Sequence, residues 1–219
     1  MEIHAPDKPI LTLKETIVHL TIVTAGILIA LSLEGAVEWR HHRALVREAR
    51  ANIAAEIQDN RKELQKTLER FDLMYRHLSD AAEKVDVMAT AWDRSVAQAL
   101  FVLPGESNVM YRYYVADLRD ASHATAQSTG ALGFMEYDEV KKYADVYGFQ
   151  TDYLHGQTAA ATATIESTSL GLLLLKKPAQ TDVDVVRRQL RLAMGNLMLE
   201  RTLGAQLMKA YNRALGEAK

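Results

Sequence analysis

Residues 17–33 (IVHLTIVTAGILIALSL) contain no Asp, Glu, Lys or Arg and are mostly apolar. As a helix rising 1.5 Å per residue the stretch covers roughly 25 Å, and a turn of flanking residues brings it near the roughly 30 Å hydrocarbon core of a bilayer. The sequence therefore predicts a transmembrane helix over residues 16–37, with the lipid bilayer as its partner. A cleaved signal peptide is the first competing reading, since Ala30-Leu31-Ser32 offers a small-x-small site. The leading segment is hardly basic, however: Lys8 and Lys14 stand against Glu2, Asp7 and Glu15, and the apolar core is long for a signal. A buried core helix is the second, but apolar runs of this length usually span membranes.

The rest of the chain must be organised around that anchor. The 219 residues carry a formal net charge of −2 and show no basic stripe interleaved with aromatics, which argues against nucleic acid as a partner. A charged fraction of 25% and four prolines fit packed structure rather than disorder or long linkers. The absence of cysteine excludes disulfides, thiolate metal sites and a Cys nucleophile. Arg40, Arg43, Arg47 and Arg50 after the anchor outnumber Lys8 and Lys14 before it, so the positive-inside rule predicts a cytoplasmic helical domain.

Pro6 and Pro9 oppose helix in residues 1–15, which read as a tail at the membrane surface. After Gly35 no Gly or Pro occurs until Pro104, so the anchor helix is expected to continue unbroken through residues 38–100, with Trp39 at the interface. Two rows at heptad spacing run along this stretch. One is Ile57, Leu64, Phe71, Leu78, Val85 and Trp92; the other is Val46, Ile53, Asn60, Thr67, Met74, Ala81 and Met88, broken at Asn60 and Thr67. Together they form one helical stripe, a coiled-coil-like stalk. Packing in an intramolecular bundle is the preferred reading, because the later helices also need a partner; a homo-oligomeric coiled coil is the alternative.

Residues 101–219 are expected to form a helical bundle domain. The break FVLPG (101–105) and the caps Ser107 and Asn108 introduce a helix reaching Gly130, with Met110, Tyr114, Leu118, Ala121 and Thr125 on one face. A second helix from about Tyr137 carries Val140, Tyr143, Tyr147, Leu154, Ala161 and Ile165, although Gly148 and Gly156 each weaken it. Its part GQTAAATATIESTS is rich in small residues that permit close helix approach, and residues 170–175, too short to span a bilayer, read as buried core. Lys176-Lys177-Pro178 ends it. Thr181 is expected to cap a last helix to about Leu215, with Val183, Val186, Leu190, Ala193, Leu197, Leu207, Tyr211 and Leu215 on its apolar face. No strand alternation or hairpin signal stands out. The predicted fold is all-α: an N-terminal transmembrane helix continuing into a long helix, packed with about three further helices as an extramembrane bundle.

Acid-x-x-His occurs three times, at Glu38…His41, Asp120…His123 and Asp152…His155. The spacing puts both groups on one helix face, and di-metal carboxylate bundles use Glu-x-x-His from two helices. Only one of the pairs uses Glu, and it lies at the membrane exit, so surface salt bridging is the ordinary outcome. His19 lies inside the anchor, where an ionisable group suggests a pigment or haem ligand or an interhelical hydrogen bond; it also lies one turn from Glu15. Glu34 and Glu38 read as a hydrated exit turn. Tyr111, Tyr113 and Tyr114 suggest a binding face but suit core packing better. No phosphate loop, HExxH, GxSxG or dinucleotide glycine fingerprint occurs. The sequence thus assigns no catalytic, cofactor-binding or metal-ligating residue.

The runs HAPDKPI and VHLTIVTAGILIALSLEGAVEWRHHR, and later TAQSTGALGFMEYDEVKKYADVYGFQ, resemble an uncharacterised family of small bacterial single-pass membrane proteins. The resemblance is most specific around the anchor. Members often carry His-Ser-Trp before the Lys-Glu that leads into it, where this chain has Leu11-Thr12-Leu13 before Lys14-Glu15. The resemblance implies a bacterial inner-membrane location and supplies no activity. The expected function is that of a non-enzymatic, membrane-anchored protein-binding or scaffold protein, acting through protein partners or self-association. An accessory subunit of a larger membrane complex, respiratory or photosynthetic, is one form of it. The alternatives are a membrane-anchored sensor or signalling stalk and a di-metal carboxylate enzyme.

Overall fold

The computed structural model describes residues 13–101 and 113–216. Within them the chain is all-α and holds five α-helices: α1 (Leu13–Met88), α2 (Arg94–Phe101), α3 (Ala121–Ser128), α4 (Tyr137–Gly171) and α5 (Gln180–Ala214). Short 3₁₀ turns occupy Ala131–Phe134 and Leu172–Leu175. Two compact units divide at Glu48 and Ala49, inside α1. The tail through Thr12, the 102–105 part of the break, and Ser107, Asn108, Met110 and Tyr111 lie outside the described residues.

In the first unit α1 shows residues 13–41 exposed, including Ile17, Leu20, Ile22, Ile27, Leu31 and Leu33. The hydroxyls of Thr21 and Ser32 donate to the carbonyls of Ile17 and Leu28 at 2.8 and 2.7 Å, so these polar groups are satisfied within the helix. The Arg43 guanidinium lies 5.1 Å from the Trp39 ring centre, a cation–π contact at the end of the apolar stretch.

In the second unit the heptad rows are the seam of the bundle. Ile53, Ile57, Leu64, Phe71, Met74, Leu78, Ala81, Val85 and Met88 are all buried, as are Asn60 and Thr67. Phe71 through Met88 share one core with Val183, Val186, Leu190, Ala193 and Leu197 of α5. Most of the expected α5 face is therefore core, as periodicity requires of an amphipathic helix.

Several boundaries depart from the sequence reading. The long helix ends at Met88, short of residue 100 and without any Gly or Pro. Just beyond its end one long-range bond and one local bond hold the chain: the Trp92 indole donates to the Leu174 carbonyl at 2.9 Å, and the Asp93 carboxylate accepts from the Ser95 N–H at 2.7 Å, starting α2. These bonds to Ser95 hold the Asp93 carboxyl below its ordinary range. The helix expected up to Gly130 is a short α3 preceded by eight non-helical residues, 113–120. α5 begins at Gln180 rather than at a Thr181 cap, with the Asp182 carboxylate accepting the Ala179 N–H at 2.9 Å.

α4 runs through both glycines. Its buried face past Tyr153 is Gly156, Gln157, Ala160, Ala163, Thr164, Ser167, Thr168 and Gly171, leaving Ile165 exposed rather than in the stripe. The small residues let α5 approach: a Cβ at Gly156 would stand 2.7 Å from Leu203 Cδ1. Of the leucines expected to be core, Leu174 is buried, while Leu172 and Leu173 are exposed on the 3₁₀ turn. Among the described residues two helical segments, α1 and Tyr137–Leu175, are long and apolar enough to cross a membrane. Their apolar windows differ in surroundings: mean hydropathy 2.2 with none of it buried in α1, against 1.2 with 39% buried in the other.

Candidate functional site

The second unit buries Glu56, Asn60, Gln150, Gln157 and Glu200, whose side chains serve residues 113–122, the first eight of which (YYVADLRD) are not helical. This strap has the two-residue alternation of an extended chain: Ala116 and Leu118 are buried, and Val115, Asp117 and Arg119 are exposed. An extended backbone leaves its N–H and C=O groups without helical partners, and side-chain amides supply them. From α1, Asn60 accepts the Arg119 N–H at 2.9 Å and donates to the Arg119 carbonyl at 2.6 Å. From α4, Gln157 accepts the Ala116 N–H at 2.7 Å and donates to the Ala116 carbonyl at 3.3 Å. Each amide thus pairs with one residue of the strap as a neighbouring β-strand would.

The clamp extends inward. Gln150 donates to the Arg119 carbonyl at 3.0 Å and accepts from Asn60 at 3.1 Å and from the Tyr211 hydroxyl at 2.6 Å. Glu56 accepts from the Tyr147 hydroxyl at 2.6 Å and from the Ser122 N–H at 2.8 Å, fixing the start of α3. The His123 ring stacks on Tyr147 with centroids 4.2 Å apart. Burial pushes the His123 imidazole below its ordinary pKa, although Glu56 and Asp120 pull the other way. The Arg70 guanidinium sits 4.3 Å over the ring of Tyr114.

At the other end of the strap stands Glu200. It is fully buried, with Tyr153 donating to Oε1 at 3.2 Å and the Tyr113 hydroxyl against Oε2. Burial raises its carboxyl to about 7, against the smaller downward pull of the two tyrosine bonds. The same burial raises the hydroxyls of Tyr113 and Tyr153 above the ordinary tyrosine range.

The residues singled out in the sequence distribute differently. His42, not His41, approaches Glu38, at 3.9 Å. Asp120 precedes α3 without capping it through its side chain, and Asp152 and His155 are exposed on α4. Among the described residues no group of three His, Asp or Glu side chains gathers to hold a metal ion. His19 is exposed on α1. Tyr113 and Tyr114 pack against the hydrophobic core, as expected, and Tyr113 also bonds the polar cluster through its hydroxyl.

The sequence reading passed over Glu56, Gln150, Gln157 and Glu200. The signals were present but read as interruptions: Asn60 breaks an otherwise apolar row, Gln150 and Gln157 stand seven apart, and Glu200 falls between Leu197 and Leu207 on an apolar face. A cleft of about 230 Å³ beside the clamp is lined by Asn52, Glu56, Asp59, Asn60, Arg119 and Ser122, among others. Of these, Glu56 and Asn60 are engaged in the bonds above to the main chain. Comparison with known protein families, curated proteins and solved structures found no match for this chain.

Proposed function

We propose that this chain is a non-enzymatic, membrane-anchored helical protein that binds other proteins, an accessory or scaffold subunit of a larger complex in a bacterial inner membrane. The observation that carries the reading is the bare apolar surface of α1. Leu20, Ile22, Ile29, Leu31 and Leu33 are each more than half exposed on a stretch with no charged residue. Contiguous apolar surface of this kind calls for lipid or a partner's apolar face. The bundle supplies a folded body whose buried polar groups serve its own strap, which favours binding over chemistry. The basic residues following the anchor favour a cytoplasmic bundle.

The test is purification from native membranes in mild detergent at natural abundance. A partner subunit is expected to co-purify in fixed proportion, and recovery of this chain by itself counts against the reading. Retention in the membrane pellet after a carbonate wash tests the anchor separately.

A further inference from the structure

The Tyr113 hydroxyl lies within hydrogen-bonding reach of two acceptors, the main-chain carbonyl of Gln157 at 3.0 Å and Oε2 of Glu200. A hydroxyl has one hydrogen to donate, and a carbonyl has none. With the Tyr113 hydrogen directed to Gln157, the hydrogen in the contact with Glu200 comes from the carboxyl. Glu200 Oε1 accepts from Tyr153, as the carbonyl oxygen of a neutral acid does. The distances fit two arrangements: Tyr113 donating to Oε2 of an ionised carboxyl, or a neutral carboxyl donating to Tyr113 and Tyr113 to the Gln157 carbonyl.

Among the described residues the surroundings offer an anion little else. The strap brings Tyr113, and α4 brings Tyr153 and Gln157. On α5 itself Arg201 is turned to Asp72 at 3.1 Å. From α1, Leu68 packs by Gly204 and Arg70 lies over Tyr114. Tyr211 is bonded to Gln150. Among the described residues no Lys, Arg or His pairs with Glu200.

We propose that the Glu200 carboxyl is a proton-operated latch on the strap 113–120, which is seated while the carboxyl holds its hydrogen and loosens when that hydrogen is lost. On ionisation both carboxylate oxygens become acceptors. Tyr113 must turn its hydrogen from Gln157 to Oε2, and a fully buried charge is left with two hydroxyls. Admitting water relieves it. Of the elements around Glu200 the strap alone has no helical hydrogen bonds of its own, so it is the one that yields. Gln157 joins the parts, its main chain receiving Tyr113 and its side chain gripping Ala116.

Amide hydrogen exchange of the full chain in detergent, followed at the Ala116 N–H between pH 4 and 8, tests the latch. Divided by the intrinsic base-catalysed rate, opening is expected to rise by up to tenfold per pH unit from about 4.5 to about 7 and then level. Glu200→Gln, which keeps a donor for Tyr113, is expected to abolish the rise. A flat profile in the natural chain, or the same rise in Glu200→Gln, overturns the proposal. Should Glu200→Gln not fold, Tyr113→Phe replaces it: losing a bond that favours the ionised carboxyl is expected to carry the rise to higher pH before it levels, and a levelling point unchanged or lower overturns the latch.

Discussion

The buried carboxyl of Glu200 makes stability depend on pH in a direction opposite to that of a paired acid. Its folded pKa of about 7 lies above the ordinary 4.5, so the folded state holds the proton more tightly. Its contribution is fully present below the ordinary value and is lost as pH rises toward 7, by on the order of 3 kcal/mol at most. Glu139, held low by Arg50 at 2.6 Å, works in the other direction: its contribution is lost as pH falls through its depressed pKa. The difference in thermal stability between the natural chain and Glu200→Gln, measured from pH 4 to 8, isolates the first effect and is expected to shift against the natural chain as pH rises. Two glycines give a second test at this scale. A Cβ at Gly148 meets open space, so Gly148→Ala is expected to stabilise by roughly 0.5–1 kcal/mol through helix propensity. A Cβ at Gly204 would stand 2.8 Å from Leu68 and 3.1 Å from Tyr153, so Gly204→Ala is expected to cost about 1–3 kcal/mol through overpacking. Denaturant melts of both variants check the pair.

At the scale of the element, α1 and the strap separate what periodicity reports from what it omits. Heptad spacing identified every buried apolar residue of the seam from Ile53 to Met88. It also presented Asn60 as a flaw, and a reader of the stripe alone would expect Asn60→Leu to strengthen it. The structure gives the opposite expectation. The substitution removes the acceptor of the Arg119 N–H, one of the two donors to the Arg119 carbonyl and one donor to Gln150, and leaving these polar groups unmade is expected to destabilise by about 1–3 kcal/mol. A urea melt of Asn60→Leu distinguishes the two. The strap was misread for a related reason. YYVADLRD fits an amphipathic helix at i, i+4 and an alternating strand almost equally well over so few residues. Asn60 and Gln157, 59 and 41 residues away from the backbone groups they bind, decide between them.

For the whole molecule, the uncharged stretch is the feature on which the proposed membrane anchoring rests. A Lys introduced at Ile22, near its middle, is expected to raise the cost of insertion by about 2.5–3.5 kcal/mol and to move a measurable fraction of the chain from the carbonate-washed pellet to the supernatant. The same change at exposed Asp138 of α4 is expected to leave the distribution unaltered. The sequence by itself determined the all-α class, the bare apolar stretch, the seam of α1 and the core face of α5, because each is a periodic pattern of hydrophobicity that local geometry converts directly into structure. Only the tertiary structure decided why residues 113–120 are not helical, and that Asn60, Gln150, Gln157 and Glu200 belong to one polar cluster. Those outcomes rest on single hydrogen bonds between groups far apart in the chain, and a pattern of neighbours along the sequence carries no record of them.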